Sequence, residues 1–323
     1  MHGQSPKRIA IAPESTPPAV TAPAPAPAVA FVALVLANVA LAFGPWFVRL
    51  ADTGPVAAAF WRITLAAPVL ALAALATGGR PQRLSPALWG VLALAGLAFA
   101  ADLGSWHVGI HKTTLANATL FGNSATLIFP IYGFLVARVW PTRMQAFALA
   151  LAAVGAALLM GRSYQLDPRH LVGDLLCLLA GVLYTGYFIL MARARTVMAP
   201  LSSLALATMA SIVPLLLVAL LLGERILPQA WGPLILLALV SQIIGQGLMI
   251  YALGKLSPLV VGIALLLQPA VAGIIGWIAY DERLGAPDFV GLAMVAVALV
   301  LVRRASGVAK PVPADDLGRE EPA

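Results

Sequence analysis

The sequence predicts an all-α integral membrane protein of ten transmembrane helices, arranged as two inverted five-helix repeats. Three observations carry that expectation. The 323-residue chain is 61% hydrophobic and only 10% charged, with a mean hydropathy of +0.94, against roughly 25% charged residues in a soluble domain. Its apolar residues fall in ten continuous runs, each near the ~20 residues that cross a hydrocarbon core as a helix, not in the ~10-residue alternating segments of a barrel. The second half also repeats the first.

The runs are 29–48, 55–76, 87–107, 113–137, 143–160, 171–192, 200–222, 231–253, 256–280 and 287–303. In lipid the backbone must satisfy its own hydrogen bonds, so each run is read as a helix. Turns between them carry Pro, Gly and charge, as in Thr77-Gly78-Gly79-Arg80-Pro81 and Asp281-Glu282-Arg283-Leu284-Gly285. Residues 1–28 hold Pro6, Pro13, Pro17, Pro18, Pro23, Pro25 and Pro27 among Ala, Ser and Thr, and read as a disordered cytoplasmic tail. It makes a poor signal peptide, since Lys7-Arg8 is followed by a proline tract and not by an apolar run. The expected organisation is that tail, a first repeat over 29–160, a second over 171–303, and a polar, disordered cytoplasmic tail over 304–323.

Residues 102–160 align with 245–303 at a constant offset of 143, pairing Gly104 with Gly247 and Lys112 with Lys255. Upstream the offset is 145, pairing Pro55 with Pro200, Gly78 with Gly223 and Arg80 with Arg225. If each copy crosses the bilayer five times, the second is inverted relative to the first. Inverted repeats are a common architecture of carriers that rock around a site near the midplane. With the N-terminus inside, thirteen Lys and Arg face the cytoplasm and six the other side, with Arg62 left within a span. Cytoplasmic enrichment of Lys and Arg then places both termini in the cytoplasm.

Charged groups at a helix centre cost on the order of 2.5–3.5 kcal/mol by insertion scales, so each needs a partner or a role. Arg62 in the second segment and Asp102 in the third lie well inside, about 10 Å and about 8 Å below the same surface at 1.5 Å per residue. Similar depth and opposite sign predict an ion pair, which either locks the two helices or lines the substrate path. Asn117 enters the fourth segment at comparable depth. Asn123, Asn38, Gln242, Gln246 and Gln268 fall near mid-depth, either as helix–helix hydrogen bonds worth about 0.6 kcal/mol each or as the lining of a midplane site. Trp106, four residues after Asp102, shares its helical face. An acid beside an aromatic ring suits an amine or an aromatic group, although plain packing accounts for the ring as well.

Pro130 and Pro269, with Gly104, Gly122, Gly245, Gly247 and Gly262, mark where the third, fourth, eighth and ninth segments can bend. The fifth and tenth are rich in Ala and Val, with Ala148, Ala152 and Gly155 forming a close-packing face suited to a homodimer contact. His107 and His111 have the spacing of a metal pair, but lack the further ligand a transition-metal site wants, so no metal or other cofactor is expected. Cys177 reads as a small buried apolar residue. The basic residues are scattered, without the patch of a nucleic-acid binder. The motifs of common hydrolases and nucleotide enzymes are missing from the sequence.

Taken together, Phe60-Trp61-Arg62, Ala116-Asn117-Ala118-Thr119-Leu120, Gln268-Pro269, and Glu282-Arg283-Leu284 followed by Gly291 resemble the ten-helix EamA-type members of the drug/metabolite transporter superfamily. The resemblance covers about 29–303. One departure is Arg138-Val139-Trp140, where such proteins commonly carry another Glu-Arg pair. The resemblance implies an inner-membrane carrier of the bacterial type for small metabolites, with a cavity lined largely by segments one, three, four, six, eight and nine, and with many members resembling exporters of amino acids or related compounds. Its partners are then a small-molecule substrate and the lipid bilayer. The alternative is a non-transporting sensor or assembly partner that keeps the carrier fold; a channel fits less well, because two inverted halves supply few matched polar rings around one axis.

Overall fold

The computed structural model describes residues 28–77, 84–113, 118, 121–160, 168–280 and 285–305. Of the two proposed tails only Ala28, Arg304 and Ala305 are described, and these belong to helices α1 and α13; the rest of both tails, and Asn117, lie outside the described residues. Those described form helices joined by short turns, with no strand among them. The first segment is α1 (Ala28–Ala42) and α2 (Gly44–Leu50), followed by α3 (Pro55–Ala76) and α4 (Pro86–Ile110). The fourth segment ends in α5 (Ala125–Ala137), the fifth is α6 (Arg143–Met160), and the sixth is α7 (Leu171–Ala194) after a single 3₁₀ turn. Then come α8 (Pro200–Leu221), α9 (Gly232–Leu236), a π-helix (Leu237–Gln246), α10 (Gly247–Leu253), α11 (Pro258–Leu265), α12 (Leu267–Tyr280) and α13 (Ala286–Ala305).

Six of these spans are long and apolar enough to cross a membrane, and four shorter apolar helices fall within segments four, five, nine and ten. Prolines open many of them, among them Pro55, Pro86, Pro200 and Pro258, where a missing N–H removes a donor that has no intrahelical partner anyway. Large aliphatic side chains such as Leu72, Leu135, Val213 and Ile278 are exposed around the bundle. That surface belongs in lipid.

Helices pack across the two halves in a matched pattern. α3 lies along α8 and α6 along α13, each helix against its counterpart in the other repeat. α4 packs along α7, and its repeat-related contact joins α1 to the π-helix and α10. Segments four and nine, another pair of counterparts, run antiparallel. Gly133 of α5 lies against Pro258 of α11, while Gly262 lies against Pro130 and the Thr126 carbonyl, so residue numbers rise on one helix as they fall on the other. The α6–α13 seam revises the expected use of the small-residue face. Ala148 and Ala152 are fully buried, and Gly155 approaches the Gly291 carbonyl and Met294. That close packing is intramolecular, so it supplies no surface for a homodimer.

At one end of the bundle the halves are joined by polar contacts. The Gly54 N–H donates to the Arg225 carbonyl at 3.1 Å, and the N–H groups of Val56 and Ala57 donate to the Glu224 carboxylate at 3.2 and 2.8 Å. The first turn of α3 is thus capped by a side chain of the other repeat, which satisfies donors that no intrahelical carbonyl reaches. A side chain on Gly54 would overlap that carboxylate. Nearby, Trp61 Nε1 donates to the Ile226 carbonyl at 2.7 Å and its ring meets Trp231 edge-on at 4.8 Å. Trp61 therefore belongs to this seam, at the helix ends.

Candidate functional site

A cavity of about 90 Å³ lies between the repeats, large enough for several waters. Eleven of its sixteen lining residues come from the first half of the chain, so it is displaced toward the first repeat. Arg62, Asp102, Trp106, Asn123, Gln246 and Gln268 all reach its wall. Asn38 and Gln242 do not. Both are completely buried one layer behind it, where they orient the residues that do.

Helix interruptions surround the cavity. The first segment breaks at Phe43, two residues before Pro45, which lines the cavity and cannot donate an intrahelical bond. The fourth breaks at Asn123-Ser124 and the ninth at Leu266. Under the 143-residue offset Asn123 aligns with Leu266, so these two breaks occupy corresponding positions in the two halves. Pro269 explains the second, since its ring displaces the carbonyl four residues earlier, that of Leu265. Pro130, by contrast, sits inside continuous α5. In the eighth segment the helix widens to the i→i+5 pattern over Leu237–Gln246, a rare form frequent at functional sites, and this stretch carries both Gln242 and Gln246.

The expected Arg62–Asp102 ion pair does not form. Among the described residues no ion pair within 4.0 Å joins them. Arg62 Nε instead donates to Gln242 Oε1 at 3.1 Å, and Gln242 Nε2 donates to Thr208 Oγ1 at 3.3 Å. The Phe99 ring lies 5.9 Å from the guanidinium carbon, close enough for a cation–π contact. Asp102 is 8% exposed and, among the described residues, its carboxylate accepts no hydrogen bond. The two charges remain separate on one cavity wall because a neutral amide has taken the position expected of the carboxylate.

Three further contacts set the remaining wall. Gln268 Nε2 donates to Asn38 Oδ1 at 3.0 Å, and Asn38 Nδ2 donates to the Leu34 carbonyl at 2.8 Å. Gln246 Nε2 donates to the Tyr184 hydroxyl at 3.0 Å. Trp106 packs on Gly122, where an added Cβ would lie 2.9 Å from Trp106 Nε1. Tyr184 escaped the sequence reading, although a tyrosine deep in an apolar segment is a usable signal: its hydroxyl needs a partner there. It also stacks into the Phe99, Tyr187 and Phe188 ring cluster. His107 Nδ1 donates to the Pro55 carbonyl at 2.7 Å, while His111 is exposed. Those two do not form a metal pair, and no cluster of three His, Cys, Asp or Glu occurs among the described residues.

Two stretches, 28–161 and 171–304, each match the family model described as the EamA-like transporter family. The chain belongs to that family. This EamA-like chain is therefore a multi-pass membrane transporter of the drug/metabolite transporter superfamily, built from two copies of one repeat. A solved crystal structure superposes on it with a TM-score of 0.71, over 87% of this chain and 97% of that one, at 15% identity; the likeness is one of fold. No curated protein matches the sequence. In this EamA-like chain the seam at Glu224 has no acidic counterpart in the sequence, since the 145-residue offset pairs Glu224 with Gly79. The second repeat's equivalents of Arg62 and Asp102 are Ala207 and Gly245, so the charged part of the cavity is unique to the first repeat.

Proposed function

We propose that this EamA-like chain is a secondary carrier that moves amino acids or related small amphipathic metabolites by alternating access, in the direction of export. The carrying observation is that Arg62 and Asp102 line one cavity without pairing to each other. A zwitterion supplies both missing partners, its carboxylate to the guanidinium and its ammonium to the carboxylate. Buried charges without such partners are costly, so a substrate that brings both is favoured over a neutral one.

The antiparallel run of segments four and nine supports a second part of the reading, in which the two repeats face opposite ways in the bilayer. Rocking of one repeat against the other then exposes the cavity to each side in turn. Aligned helix breaks at Asn123 and Leu266 supply local freedom for that motion. The charge distribution supports both termini in the cytoplasm of a bacterial-type inner membrane, which places the Glu224 seam on the outer side. The direction of export is what the resemblance to EamA-type carriers implies.

Counterflow in proteoliposomes tests the proposal. Vesicles loaded with an unlabelled amino acid and holding the full chain should accumulate the labelled form transiently, whereas Arg62→Gln vesicles should not. Binding without flux would sink the carrier reading and favour a sensor that keeps the fold.

A further inference from the structure

The Arg62 guanidinium is held on two sides and open on the third. Its Nε edge is occupied by Gln242 Oε1, and one face lies over Phe99. Its two terminal nitrogens meet no protein acceptor among the described residues, and Arg62 lines the cavity. The supporting groups are rigidly placed: Gln242 is 0% exposed, and Thr208 and Phe99 are each 1% exposed. Thr208 matters because an amide can present either its oxygen or its nitrogen. With the Gln242 NH₂ donating to the threonine hydroxyl, the amide oxygen is the end left facing arginine.

Guanidinium binds a carboxylate with two parallel hydrogen bonds, along either its Nε edge or the edge formed by its terminal nitrogens. In this cavity the first edge is blocked. We infer that Gln242 is a positioning residue that presents the terminal nitrogens of Arg62 end-on to one planar carboxylate of the substrate, with Thr208 setting the orientation of the amide. The inference deepens the carrier reading and rests on it for the identity of the cavity as a substrate site. It also spans the repeat boundary, since Arg62 belongs to α3 and Gln242 to the π-helix. Rocking that separates these elements would remove the block and turn the fork, linking carboxylate affinity to the state of the carrier.

The test measures affinity by thermal shift on the purified full chain, using three amino acids paired with their decarboxylated amines. The pairs are L-leucine with isoamylamine, L-phenylalanine with 2-phenylethylamine, and L-lysine with cadaverine. Wild type should bind at least one amino acid more tightly than its amine. Gln242→Leu and Gln242→Glu should each lower that carboxylate-to-amine affinity ratio about tenfold, the second by placing a competing anion on Arg62. Thr208→Val should lower it about threefold by freeing the amide to turn. A role confined to packing would weaken both members of a pair alike and leave the ratio unchanged. An unchanged ratio in a variant that keeps the wild-type melting temperature overturns the inference, as does wild type that binds no amino acid better than its amine. Counterflow of the same six compounds separates the two readings. Flux with an unchanged ratio leaves the carrier standing and removes the fork, whereas a changed ratio without flux removes the carrier and keeps the fork.

Discussion

The Glu224 carboxylate accepts the Ala57 N–H at 2.8 Å, so the second repeat caps a helix that belongs to the first. Two donors of the α3 first turn depend on this one side chain. Glu224→Ala should lower stability by about 1 kcal/mol, the usual worth of an N-terminal cap. Glu224→Gln keeps an acceptor oxygen and should lose less. Thermal unfolding of both variants in one detergent checks the order, and equal melting temperatures for all three proteins would contradict it.

Asp102 and Arg62 should fail in opposite ways. Asp102→Asn should weaken binding of amine-bearing compounds at least tenfold while sparing simple carboxylates, and Arg62→Gln should do the reverse. A tenfold change is about 1.4 kcal/mol, a modest demand on a charge-assisted hydrogen bond. Isothermal titration with isoamylamine and with isovalerate measures both. If each substitution weakens both ligands equally, the two charges do not divide the substrate between them.

An imposed proton gradient gives a separate use of Asp102. It is the sole carboxylate on the cavity wall among the described residues. If transport is proton-coupled, Asp102→Asn should lose pH-driven uptake while counterflow persists. Survival of both activities would show that any coupling runs elsewhere.

The Asn38–Gln268 pair should show coupling in a double-mutant cycle. Buried amide contacts within membranes are worth about 0.6 kcal/mol on average, with a maximum near ~1.7. A value toward the upper end is expected, because Asn38 is fully buried and also donates to the Leu34 carbonyl. The cycle of Asn38→Ala and Gln268→Ala, read by reversible unfolding, should depart from additivity; strict additivity would mean the contact contributes nothing.

Gly155→Leu tests the α6–α13 seam. An added Cβ would stand 2.8 Å from the Gly291 carbonyl, and overpacking of this kind typically costs 1–3 kcal/mol. Stability should fall while the mass of the protein–detergent particle stays as in wild type. A change in oligomeric state instead would place this face between chains.

Much of this protein could be read from residue order alone, because lipid imposes one simple rule. A backbone without water must close its own hydrogen bonds, so apolar runs announce helices and a constant offset of 143 announces their duplication. The same rule makes intramembrane charges and amides conspicuous, and Arg62, Asp102, Asn123, Gln246 and Gln268 all line the cavity. Sequence could not decide which polar groups meet. Depth and sign predict an Arg62–Asp102 pair, but depth along a helix says nothing of azimuth, and Gln242 approaches Arg62 from a π-helical stretch that no residue pattern announces. Small residues such as Gly155 likewise show that a close contact exists without naming the partner. Those choices belong to the tertiary structure, since they depend on how helices rotate and cross once their backbones are already satisfied.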